Sequence, residues 1–457
     1  MEIKKKAEKA MVEMTSGSPM KSILRFSIPL IIGTVFQQLY GMVDTVIVGR
    51  FVGVNALAGI GSTGSFNYLI ITSCTGICSG FAVPVAQQFG AKDEVRLRRY
   101  VAGAIRLSTI LAAVITVVVV AMTGTVLRWM NTPEDIFDYA YQYIRIIFMG
   151  IPAVFLYNLS ASIIRALGDS KTPLLFLILC SGLNILLDIV FILFLDMGVS
   201  GAAVATVIAQ LTSGLCCLFY IKRKYPILRL KRGDWEWNPR YAANLCTMGI
   251  PMGLQFSIVA IGCLIMQASV NALGSAAVAS VTAGDKIHAL LGCPLETMGV
   301  AVATYSGQNT GAGKIDRLTK GIKAVGVFVC IYSAIALGIQ LLLGRPMLLL
   351  FLDPGEELII RQARNYLICM ALTYIPLGYV TSLRSMIQGM GFVSFAMWSG
   401  VFETIARVIV SLILIPLFGF GAVCLSHPGA WVLADVFLIP AFIGCIKVMK
   451  KRMGMIG

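Results

Sequence analysis

Apolar runs long enough to cross a membrane follow one another along almost the whole chain, separated by short breaks of Gly, Pro and charged residues. A spanning helix needs about 20 apolar residues. Cutting the runs at their breaks predicts about twelve spans, at 26–49, 55–85, 100–123, 136–164, 174–195, 201–221, 245–270, 276–307, 321–343, 360–387, 395–416 and 421–446. The fold class implied is an all-α polytopic membrane protein. Several runs exceed what a bilayer requires and carry internal Pro or Gly, notably GCPLETMG at 292–299, so bends are expected there.

Composition excludes a soluble globular domain, because 58% of the 457 residues are hydrophobic and 13% are charged. The net charge of +15 does not point to nucleic acid, since the basic residues form short clusters between apolar runs and not one basic face. Lys4, Lys5, Lys6, Lys9 and Lys21 precede the first span, and Lys92, Arg96, Arg98 and Arg99 follow the second. Lys222, Arg223, Lys224, Arg229, Lys231 and Arg232 follow the sixth, Lys314, Arg317 and Lys320 the eighth, and Lys447, Lys450, Lys451 and Arg452 end the chain. All lie on one side if the spans alternate, which puts both termini in the cytoplasm of a cell whose inner (plasma) membrane holds the protein. The opposite loops, NTPED at 131–135, DMGVSG at 196–201 and DPGEE at 353–357, carry few basic residues. The first apolar run is itself long enough to span, so it is expected to remain as the first helix and not to be cleaved as a signal peptide. Nearly all of the 12 cysteines fall inside apolar runs, where cysteine acts as a small hydrophobe and neither a disulfide nor a metal site is expected.

The chain also repeats itself. FSIPL at 26–30 recurs as MGIPM at 248–252, and AQQFGAKDEVRLRR at 86–99 recurs as SGQNTGAGKIDRLTK at 306–320. Ile151-Pro152 through Gly168 is matched by Ile375-Pro376 through Gly391. Each half then holds about six spans, and an even number per half gives a parallel repeat about an axis along the membrane normal. The expected organisation is a six-helix bundle over 22–221, a basic cytoplasmic linker over 222–240, a second six-helix bundle over 241–447 and a basic tail over 448–457.

Charged groups inside such spans are costly and by default mark an ion or substrate path. Asp44 lies roughly 9 Å below one end of the first span, Asp188 roughly 11 Å below the same side of the fifth, and Thr206 about 8 Å into the sixth, at 1.5 Å rise per residue. Tyr40 and Gln37 share a helical face with Asp44, and Asn184 shares one with Asp188. Two carboxylates in a low-dielectric cavity repel each other and favour holding a proton, while the amide and hydroxyl oxygens suit Na⁺ equally well. The alternative is that each Asp only satisfies a polar group on a neighbouring helix. Gln37 and Asn158 in the first half and Asp285, Lys286 and Glu296 in the second are candidates for a substrate cavity, with structural pairing as the alternative for the last three. Glu403 and Arg407, spaced i, i+4, are expected to pair. His288 and His427 stand isolated in the sequence, and Asp435 lies in the last span. No nucleotide-binding motif or catalytic constellation appears, so transport would be driven by an ion gradient or be passive, without a cofactor.

The order of IPL, QQLYGMVDTVIVG, AQQFGAKD, RALGDSKTP, NILLD and SGQNTGAGK, over about Ser22 to Lys447, resembles the multidrug and toxic compound extrusion (MATE) transporters. The resemblance implies two six-helix bundles that export organic, often cationic, compounds in exchange for H⁺ or Na⁺. It is similar to the DinF-like branch, whose first-helix aspartate is matched by Asp44, its tyrosine by Tyr40 and its bending proline by Pro29. The fifth-helix asparagine and aspartate are matched by Asn184 and Asp188, the sixth-helix threonine by Thr206 and a fourth-helix asparagine by Asn158. The acidic pair of the NorM-like branch has Val259 and the GMGFVS segment in its place, so coupling through the first half is expected, with H⁺ or Na⁺ at Asp44, Asp188, Asn184 and Thr206. The partners implied are small organic substrates and the bilayer, with a monomeric chain. Other classes stay open: a flippase for lipids or lipid-linked oligosaccharides of the same superfamily, a channel-like or receptor protein and, last, an intramembrane enzyme.

Overall fold

The computed structural model describes residues 13–52, 54–130 and 132–454, apart from the side chains of 39–50, 54, 55 and 57. The first half comprises α1 (Pro19–Phe51), α2 (Val54–Gly90), α3 (Glu94–Trp129), α4 (Glu134–Met149), α5 (Ile151–Ala166), α6 (Lys171–Asp188) and α7 (Gly198–Lys224). After 3₁₀ turns at Pro226–Leu228 and Arg232–Trp235 come α8 (Pro239–Ala272), α9 (Ser275–Gly311), α10 (Ile315–Leu348), α11 (Glu357–Leu372), α12 (Tyr374–Gly389), α13 (Val393–Ile409) and α14 (Ser426–Arg452). Ten helices among the described residues are long and apolar enough to cross a membrane, or up to twelve spans if each bent pair, α4–α5 and α11–α12, is one span. Large apolar side chains stand exposed along them, Val117 at 69% and Leu342 at 80%, a surface suited to lipid and not to water.

The two bent pairs turn by 46° and 50°, at Gly150 and Thr373. Each break lies just before an Ile-Pro pair. Proline lacks an N–H and its ring collides with the carbonyl four residues earlier, so a helix restarts with proline in its first turn, as Pro152 and Pro376 do. The bend expected at 292–299 does not interrupt α9, which runs on through Pro294. Neighbouring helices hydrogen-bond to the backbone on either side of it: the Tyr332 hydroxyl donates to the Leu291 carbonyl (2.8 Å) and Thr381 Oγ1 to the Leu295 carbonyl (3.1 Å). Pro29 likewise sits inside an unbroken α1.

The chain divides into two compact units, one with Ile32–Gly253 and the other with Met14–Ile31 and Leu254–Gly457, so the division runs through α1 and α8. Within the first unit α2 packs on α5, α5 and α6 on α7, and α3 on α4; within the second α9 packs on α12, α12 and α13 on α14, and α10 on α11. These pairs correspond one to one under the sequence repeat. Close approaches depend on glycine. A Cβ on Gly80 of α2 would stand 2.6 Å from the Gly249 Cα in the first unit, and one on Gly389 of α12 2.6 Å from the Ala303 carbonyl in the second.

The loops that end α5 and α12 turn on Gly168 (φ 88°) and Gly391 (φ 93°), conformations that other residues rarely adopt. In the first loop, Asp169 accepts from Lys171 N (3.0 Å), Thr172 N (3.0 Å), Thr172 Oγ1 (2.6 Å) and Tyr225 Oη (2.7 Å), tying the start of α6 to the end of α7. Burial, with the Asp169 carboxylate beside it, pushes the Tyr225 phenol well above its ordinary range.

Candidate functional site

Asn184 and Asp188 lie one turn apart on the last turns of α6, and both are buried, at 1% and 0% exposure. They face α7, whose Gly201, Ala202, Ala203 and Ala205 leave room for a neighbouring helix to come close. Asn184 Nδ2 donates to Thr206 Oγ1 (3.4 Å), and Thr206 in turn donates to the Ala202 carbonyl (3.0 Å). The sequence therefore placed these three residues at one depth, and the fold brings Asn184 and Thr206 into contact and Asp188 onto the same buried face.

Immediately after Asp188 the helix changes register. Ile189–Phe194 forms a π-helical turn, closed by Leu195 N to the Val190 carbonyl (3.1 Å). Such turns widen the helix and occur often at functional positions. The second unit repeats the feature at Val410–Leu414, but the residue at the place of Asp188 is Ile409. The backbone device is duplicated, and the carboxylate is not.

Other expected residues distribute differently. The side chains of Tyr40 and Asp44, in α1, lie outside the described residues. Gln37 is exposed, and Asn158 on α5, half-buried, donates to its own Val154 carbonyl (2.9 Å). Lys286 borders an open cleft of about 500 Å³ with Thr282, Val278 and Phe351, Asp285 accepts from the buried Tyr366 hydroxyl (2.9 Å), and Glu296 is exposed nearly three turns further along α9.

The second unit instead holds a buried ionic cluster. Glu403 and Arg407 pair as their spacing requires (3.2 Å), and Arg384 on α12 binds the other Glu403 oxygen and Ser399 Oγ (2.9 Å). Arg384 was legible as a charge inside a span and went unread; its partner on another helix was not legible. Beside the cluster, Gln388 Nε2 donates to Gln255 Oε1 (2.9 Å), one turn before Val259 on α8. His288 and His427, isolated in sequence, are neighbours in space, with ring centroids 6.3 Å apart, because α9 and α14 both pack around α11 and α12.

A family model described as MatE matches residues 29–190 and again 251–413, one match per half. The chain is 30% identical over 394 residues to the probable multidrug resistance protein YoeA of Bacillus subtilis, covering 84% of each chain. It is also 30% identical over 308 residues to the probable multidrug resistance protein YpnP of the same organism, covering 67% of this chain and 68% of the relative. Among solved structures, the outward-facing conformation of a multidrug resistance MATE family transporter superposes with a TM-score of 0.88 at 23% identity, over 96% of this chain and 98% of the other. That likeness concerns the fold. With both halves matched and the helical repeat in place, the chain belongs to the MatE family and is a multi-pass membrane transporter, not an enzyme.

Proposed function

We propose that this protein is a secondary active multidrug efflux antiporter that exports organic cations in exchange for H⁺ or Na⁺, with both termini in the cytoplasm. The observation that carries the reading is Asp188, a carboxylate with no exposed surface in a membrane-spanning helix, one turn from Asn184, whose amide donates to Thr206. A carboxylate kept at such a depth costs several kcal/mol unless a cation, a proton or a fixed charge offsets it, so a group serving only packing would be a neutral one. Asp44 is the second carboxylate of the proposed site, with Tyr40 four positions earlier in the sequence and Pro29 as the bending point of the helix. Ion occupancy of the site alternates with substrate binding: loading from outside neutralises the carboxylates, the substrate cation loses its counter-charge and leaves, and after the return inward the ion is released to the cytoplasm and a new substrate cation binds the freed carboxylates. Residues 22–221 and 241–447 form the two bundles that move, joined by the 222–240 linker.

The test is efflux of ethidium from proteoliposomes under separately imposed pH and Na⁺ gradients. The gradient that drives efflux names the ion. Efflux driven by neither gradient, or equal gradient-driven efflux by Asp188→Asn protein, would overturn the reading. Lipid scrambling without a gradient would favour a flippase.

A further inference from the structure

The second unit contains a cluster that the proposed coupling site does not use. His288 of α9, Tyr374 of α12 and Gln340 of α10 form a hydrogen-bonded chain, with His288 Nδ1 3.1 Å from Tyr374 Oη and Gln340 Nε2 donating to the same oxygen (2.9 Å). Tyr374 and Gln340 are buried, at 0% and 1% exposure, and Gln340 Oε1 has no hydrogen-bond partner among the described residues. The place for the imidazole is built into its helix. A Cβ on Gly292, one turn on, would stand 2.7 Å from His288 Cε1, so only glycine lets the ring lie along α9.

This chain can run in either direction with no movement larger than a half-turn of the Gln340 amide. With neutral His288, Gln340 donates to Tyr374 and Tyr374 donates to Nδ1. With protonated His288, Nδ1–H donates to Tyr374, whose own proton turns toward Gln340, and a half-turn of the amide presents Oε1 to receive it. A hydroxyl between an imidazole and an amide is thus served in both protonation states. An aliphatic residue at position 340 would allow only one. Tyr374 is also the first residue of α12, at the 50° break in its span, so the chain ends on the joint of that broken helix.

The surroundings supply acidic and basic groups from each neighbouring helix. Asp285 and Glu296 lie on α9 itself, Tyr332 on α10 and Tyr366 on α11. From α14 come His427 and, two turns along, Asp435, while Lys286 borders the open cleft. Trp431, with its ring 5.8 Å from His288 and 5.7 Å from His427, closes the cluster.

We propose that His288, with Tyr374 and Gln340 as its relay, is a second proton-binding station, located in the unit that lacks the counterpart of Asp188. The inference rests on the reading of the chain as an ion-coupled antiporter, and it adds a proton site to that reading. Imidazole is the side chain that most readily takes up and gives back a proton near neutral pH, which is the property a proton station needs.

The chain has only two histidines, which makes the test direct. Imidazole-labelled full-length protein, purified with a histidine-free tag, gives two ring signals by NMR, assigned by either His288→Gln or His427→Gln. The His288 signal is expected to move from the neutral to the protonated limit as pH falls from about 8 to about 5. Saturating ethidium is expected to shift its midpoint by about half a pH unit or more, a threefold change in proton affinity. Tyr374→Phe should reduce the ethidium shift while leaving the signal titratable. A His288 signal fixed at the neutral limit across that range, or a midpoint unmoved by ethidium, overturns the proposal. So does a His288→Gln protein whose pH–efflux profile overlays that of the unmodified chain. The titration is read without transport, so failure of the Asp188→Asn test and failure of this one are separate results.

Discussion

Replacing Asp169 by Ala removes the acceptor of four hydrogen bonds at a site only 3% exposed. Loss of the helix cap on α6 costs about 1 kcal/mol. Leaving the buried Tyr225 hydroxyl without its charged acceptor costs about 2 kcal/mol more. At about 2–4 °C per kcal/mol for a cooperative unit of this size, the melting temperature in detergent should fall by about 6–12 °C. Tyr225→Phe alone should lower it by about 4–8 °C, since one charge-assisted bond is lost. In the Asp169→Ala background the same change should cost under about 1 °C, because its partner is already gone. The phenol holds its proton more tightly in the folded chain, so this contribution is full below the unfolded phenol value of about 10 and declines as pH rises above it. The difference between the unmodified chain and Tyr225→Phe should therefore be flat from about pH 6 to 9. Scanning fluorimetry of the four proteins decides it. Additive effects in the double variant, or a shift under about 2 °C for Asp169→Ala, would refute the argument that this loop is the tie between α6 and α7.

Three further outcomes follow from particular contacts. Gly80→Ala should destabilise by about 1–3 kcal/mol, since its Cβ would meet the Gly249 backbone at 2.6 Å, whereas Gly61→Ala on the same helix, with nothing within 4 Å, should be neutral or stabilise by up to about 1 kcal/mol; paired melting curves check both. Glu403→Gln removes the carboxylate that pairs with both Arg384 and the buried Arg407 and should cost about 3–5 kcal/mol, while Arg345→Gln, at the exposed pair with Glu357, should cost at most about 1 kcal/mol in the same assay. Asp188→Asn should abolish gradient-driven ethidium efflux while membrane yield and melting temperature stay near those of the unmodified chain; a large loss of stability would instead assign Asp188 to packing.

Much of the architecture could be read before any coordinates were at hand, for physical reasons that particular residues illustrate. Membrane-length apolar runs leave a helix as the only way to satisfy the backbone, so the spans, including those from 174–195 and 201–221, map onto α6 and α7. Helical rise then placed Asn184, Asp188 and Thr206 at one depth. Proline was a weaker guide. It breaks the spans at Ile151-Pro152 and Ile375-Pro376 but not at Pro294, where side chains of two neighbouring helices hold the backbone on either side of the proline. The pairing of Glu403 with Arg407 was legible from i, i+4 spacing, while the Arg384 bond to the same carboxylate was not, since it joins different helices.

The sequence alone therefore determined what covalent order and helix periodicity control: the all-helical class, the approximate number of spans and the repeat of the two halves. Tertiary structure decided which groups meet. Asp169 with Tyr225, Asp285 with Tyr366 and the two histidines are separated by 56, 81 and 139 positions in the chain. Helix periodicity says nothing about contacts at such range, because they depend on how close two helices come and at what height, which glycines such as Gly80, Gly292 and Gly389 set through the side chains they lack.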